Sequence, residues 1–170
     1  MEIANTKLYS LSLREARTWA FAALFIIGNI VVPQLCHMIP KGGLIFLPIY
    51  FFTLIAAYKY GIKVGLLTAI LSPVVNCALF GMPAVAVLPS ILVKSVLLAG
   101  AAALVAHKCG KVSILALVAV VLSYQVLGCA FEWAIKGDFM AGIADFRIGL
   151  PGMLLQVLGG WALLKYVLKK

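Results

Sequence analysis

Apolar residues fill this chain in long runs, and the polar positions gather at the breaks between them. Cutting at charges, prolines and glycines leaves six runs, at 16–33, 44–58, 62–80, 84–106, 112–131 and 149–166. Crossing the hydrocarbon core of a bilayer takes a helix of about 20 residues, and most of these runs are near that length. The second, LIFLPIYFFTLIAAY, is short and carries Pro48, so it is expected to be tilted, kinked or partly re-entrant. Only one connection is both long and polar, EWAIKGDFMAGIADFRIG between the fifth and sixth runs, and it holds three of the five acidic residues. The pattern predicts an all-α integral membrane protein, a single domain over residues 1–170 built as a compact bundle of six transmembrane helices.

Composition excludes the soluble alternative. Hydrophobic residues make up 65% of the chain and charged residues 11%, whereas an ordinary globular domain is about half apolar and about a quarter charged. The net charge of +9 does not point to nucleic acid, because the basic residues lie at the ends of the runs, where they orient spans and meet anionic lipid headgroups. Lys7, Arg14, Arg17, Lys59, Lys63, Lys108, Lys111, Lys165, Lys169 and Lys170 all fall on one side of a six-span topology, against Lys41, Lys136 and Arg147 on the other. This bias places both termini in the cytoplasm and agrees with an even number of spans. The N-terminal segment carries acidic residues and no clear small-residue cleavage site, so a removed signal peptide is not expected.

Little in the sequence carries catalytic chemistry. Cys36, Cys77, Cys109 and Cys129 are scattered without CxxC or metal-ligand spacing and read as packing residues. His37 and His107 fall at loop edges on opposite sides, and no metal, nucleotide or nucleophile motif is present. Neither enzymatic activity nor a cofactor or metal is expected.

Three constellations remain. Ala16, Ala20 and Ala23 recur at i, i+4 and i+7 on the first run, with Thr18 and Ala22 as a second small pair beside them; such faces let another helix approach closely, inside the bundle or on a partner. Lys94 lies near the middle of the fourth run, in LPSILVKSVLLAG. A charge at that depth costs about 2.5–3.5 kcal/mol on insertion scales and calls for a partner, either a salt bridge, with Glu132 as the named candidate, or an anionic group on a ligand. Asn76, Gln125, Glu132, Trp133 and Gln156, carried on separate runs, are polar or aromatic groups that could converge on a small ligand; amides taken one at a time equally serve as interhelical glue.

Two stretches, NCALFGMPAVAVLPSILVKSVLLAG and GLPGMLLQVLGGWALLKYVLKK, together with the six short spans and the Ala16 to Ala20 spacing, carry a family likeness. The turn made by Asn76, Gly81, Met82 and Pro83 and the Pro151, Gly152, Gln156 pattern of the last run belong to it. The chain resembles the substrate-binding S components of energy-coupling factor (ECF) transporters, which capture vitamins and related micronutrients at the cytoplasmic membrane of prokaryotes. The resemblance implies a substrate site near the outer face, gated by the loop QLCHMIPKGG between the first two spans. It also implies docking of Ala16 and Ala20 on a transmembrane coupling subunit served by two ATPase subunits. Members of that family often carry an acid at the polar position of the fourth span. Lys94 departs from this, which would turn the preferred ligand group toward a carboxylate or phosphate. The main rival is a scaffold such as the small rod-shape-determining protein of cell-wall assembly, with a dry interior and Lys94 locked in a salt bridge. A facilitator or small channel would need a continuous polar path, which the isolated polar positions do not provide.

Overall fold

A computed structural model of the protein describes residues 8–168; Lys7, Lys169 and Lys170 of the charge pattern lie outside the described residues. Nine α-helices follow one another within them: α1 (Ala16–His37), α2 (Gly42–Phe46), α3 (Pro48–Tyr60), α4 (Ile62–Phe80), α5 (Leu88–Cys109), α6 (Ile114–Lys136), α7 (Phe139–Gly142), α8 (Ala144–Ile148) and α9 (Leu150–Ala162), the last continuing as a π-helical turn over Leu163–Val167. Six stretches are long and apolar enough to cross a membrane: α1, α2 with α3, α4, α5, α6, and α9 with its π-turn. The protein is a multi-pass membrane protein by this measure.

Local chemistry sets the boundaries. Pro33 lies within α1, which runs on to His37, because a membrane helix can resatisfy the carbonyl that proline leaves free. The short second run is two helices: Leu47 takes a left-handed conformation with φ 46°, ending α2, and Pro48 opens α3 at its first position, where its missing N–H is no loss. The fourth span, α5, starts at Leu88 rather than 84, with Pro89 in its first turn. Lys94 is therefore the seventh residue of α5, about 9 Å along the axis from its start, and not at mid-span. At the other end of the next helix, Ser113 caps α6 by accepting from the Ala116 N–H at 3.1 Å, and α6 extends to Lys136, so that Glu132 lies inside it rather than at its end. The polar connection folds into α7 and α8, with Asp138 capping α7 through the Met140 N–H.

The core is organised around α3. Thr53, Leu54, Ile55, Ala56, Ala57 and Tyr58 are all buried in sequence, as in a helix enclosed on every face. Close approach uses small residues: a Cβ on Gly65 would stand 2.4 Å from Ala57 Cβ, and one on Gly28 would stand 2.9 Å from the Phe52 ring. Lys59, expected in a loop, is instead buried on the last turn of α3, 5.2 Å from the Tyr9 ring. Tyr9 and Leu11 donate backbone N–H groups to the Lys59 and Tyr60 carbonyls, which lays the N-terminal segment across that end of the bundle. At the opposite end lie the α1–α3, α4–α5 and α6–α9 connections. There α2 meets the start of α9 closely: a Cβ on Gly152 would be 2.5 Å from the Phe46 carbonyl, and one on Gly149 would be 2.5 Å from the Leu47 side chain.

Candidate functional site

Lys94 carries the only fully buried ammonium placed between two carboxylates among the described residues. Its Nζ donates to Asp145 Oδ2 at 2.6 Å and lies 3.0 Å from Glu132 Oε1. Side chains on a helix lean toward its N-terminus. In α5 that is the end bearing the connections, so Lys94 reaches up toward Glu132 on α6 and Asp145 on α8. Gly128 makes the path: a Cβ there would come within 2.5 Å of Lys94 Cγ and 2.9 Å of its Cε, so the lysine stem lies flat on the α6 backbone. Lys136 extends the cluster outward, 3.9 Å from the second oxygen of Glu132. Desolvating each ion costs several kcal/mol, and only close pairing offsets it. The sequence names Glu132 as the candidate partner; Asp145 comes from the connection and was not anticipated.

Beside these charges is a layer of neutral polar groups. Gln125, Gly128 and Glu132 recur at i, i+3 and i+7 on the buried face of α6. Tyr124 donates its hydroxyl to Gln156 Oε1 of α9 at 3.0 Å, and its ring is 5.4 Å from that of Tyr50. Both amide atoms of Gln125, the Gln156 Nε2 and the Ser95 hydroxyl are buried without a hydrogen-bond partner among the described residues. A buried polar atom without a partner costs about 1–3 kcal/mol, and these four are carried on three different helices, α5, α6 and α9.

The remaining residues singled out in the sequence lie elsewhere. Trp133 follows Glu132 by one residue, about 100° around the helix, and is exposed, edge-on to Phe139 at 5.6 Å; it does not share the Lys94 cluster. Asn76 is buried and accepts from Gln34 Nε2 at 2.9 Å, and it belongs to a separate cavity of about 420 Å³. That cavity is lined by Pro33, His37, Lys41, Asn76, Met82 and Ile91, under the connection from α1 to α3. Ala16, Ala20 and Ala23 are exposed, whereas Thr18 and Ala22 are buried. The two small-residue stripes of α1 therefore divide, one packing inward and one left on the outer surface. No group of three or more histidine, cysteine, aspartate or glutamate side chains suited to a metal occurs among the described residues.

The tyrosines, Ser95, Gly128 and Asp145 are the members of the site that the sequence did not reveal. Asp145 had one signal: Glu132, Asp138 and Asp145 are the only acids at that end of the chain's topology, so any buried lysine there has three partners to choose from. Comparison of the chain with protein-family models, with curated proteins and with solved structures finds no match.

Proposed function

We infer that this chain is a solute-capturing membrane subunit of an ECF-type importer, taking up a vitamin-like or related small micronutrient. The observation that supports this best is the layer of unpartnered Gln125, Gln156 and Ser95 beside a buried ion cluster. A mostly apolar bundle with a few directed polar groups on separate helices is the composition of a small-molecule site. The cavity next to Asn76 opens at the same end but is lined by other residues than Lys94, Gln125 and Gln156. In this reading both termini are cytoplasmic, the membrane is the cytoplasmic membrane of a prokaryote, and the end bearing Lys94 faces outward. The exposed Ala16, Ala20 and Ala23 stripe meets a transmembrane coupling subunit, and ATP is hydrolysed by two partner ATPase subunits rather than by this chain.

One observation favours the scaffold instead. Lys94 is held by two carboxylates at 3.0 and 2.6 Å, as a locked internal ion pair would be. Native mass spectrometry of the detergent-purified protein separates the two. A retained molecule of vitamin size is expected of the carrier. A bare chain, repeatedly and under gentle activation, would leave the scaffold.

A further inference from the structure

The two carboxylates on Lys94 are not equivalent. Glu132 belongs to the 23-residue α6 and its side chain is 5% exposed; Asp145 belongs to the five-residue α8 and is 22% exposed. One carboxylate neutralises an ammonium, so the second leaves surplus negative charge in the interior, countered only from the surface by Lys136 at 3.9 Å. In the adjoining layer the unpartnered atoms are mostly donors: Ser95 Oγ, Gln125 Nε2 and Gln156 Nε2, against the single purely acceptor atom Gln125 Oε1. A cation flanked by donors is complementary to the oxygens of an acid group. Yet one of the two acid groups on Lys94 is supplied by α8, a five-residue helix with no buried residue.

We propose that Asp145 is a built-in stand-in for the acid group of the ligand. On capture, a ligand carboxylate takes the place of Asp145 on Lys94, Asp145 turns out to water with α8, and the amides of Gln125 and Gln156 hydrogen-bond the newcomer. This rests on the carrier reading and names its substrate class. The exchange moves one carboxylate in and one out, so the buried charge is unchanged. A phosphate dianion would add a further negative charge beside Glu132, which selects monocarboxylates. Glu132 stays on Lys94 throughout and keeps the ammonium paired while the exchange takes place.

Acetate is the probe, read by thermal unfolding of the detergent-purified protein. Asp145→Ala opens the position while Lys94 keeps Glu132, and Asp145→Asn repeats the test with the side-chain volume retained. At acetate about tenfold above its dissociation constant, Asp145→Ala should melt about 3–5 °C higher than in chloride of equal ionic strength. Wild type should move much less, and neutral acetamide should do nothing. Absence of an acetate-specific shift in both variants, or an equal shift with phosphate, overturns the assignment. A ligand found by native mass spectrometry without acetate rescue would sink the exchange and spare the carrier. Rescue without any retained ligand would do the opposite.

Discussion

Two buried polar layers stand in the same bundle, and they are satisfied to different degrees. Between α1, α3 and α4, Asn29 donates to Thr53 Oγ1 at 3.0 Å and Ser72 Oγ at 3.3 Å and accepts from the Phe52 N–H at 3.2 Å. The hydroxyls of Thr53, Thr68 and Ser72 bond back to carbonyls one turn earlier. Between α5, α6 and α9, the Gln125 amide has no partner among the described residues, and the Lys94 charge has two. Asn29, Thr53 and Ser72 are as fully buried as Lys94 and Gln125, so burial alone does not distinguish the two layers. Saturation does: a closed hydrogen-bond set holds helices together, whereas an open one beside a charge has bonding capacity left for something else.

Substitutions that act differently on the two layers test this comparison. The largest effect belongs to Lys94→Met, which leaves Glu132 and Asp145 buried without their cation; a loss of about 3–5 kcal/mol is expected in denaturant unfolding. The triple change Lys94→Met, Glu132→Gln, Asp145→Asn should recover most of it, and a single variant as stable as wild type would deny the ion cluster any structural role. Next comes Asn29→Leu, which removes the acceptor of the Phe52 N–H and the donor to the Thr53 and Ser72 oxygens and should cost about 1–2 kcal/mol while ligand retention in native mass spectra stays unchanged. Gln125→Leu should do the reverse, leaving stability within about 1 kcal/mol of wild type or raising it, with the retained ligand lost. If Gln125→Leu destabilises as Asn29→Leu does, the two layers are the same kind of glue. The smallest effect on the fold is expected from Ala20→Trp on the outward stripe. Its unfolding should match wild type within about 0.5 kcal/mol, while co-purification with a coupling subunit is lost.

Much of the fold was legible because membrane spans announce themselves by length and composition. The weak point at Pro48 was legible too, since proline at a helix start is a local rule. Elements whose structure depends on distant partners were less so. The connection after α6 reads as polar loop, yet Asp138 caps one short helix and Asp145 in the next reaches a lysine 51 residues away. Gly128 looks like any small residue until Lys94 is laid across it. Trp133 is the instructive case: periodicity alone would have kept it out of a site containing Glu132, because neighbours on a helix do not share a face. That Asn76 has a partner and Gln125 has none is a matter of three-dimensional accounting that no spacing encodes.

The bare seam between α2 and α9 gives the two roofs at this end a common hinge. Gly152 sets the backbone of α9 directly on the Phe46 carbonyl, and Gly149 leaves room for the Leu47 side chain. At Gly152 no side chain cushions the contact, and the two helices meet there as backbone against backbone. The connection that carries α2 and the short helix that holds Asp145 thus meet at one seam, and a side chain added at Gly152 would part α2 from α9.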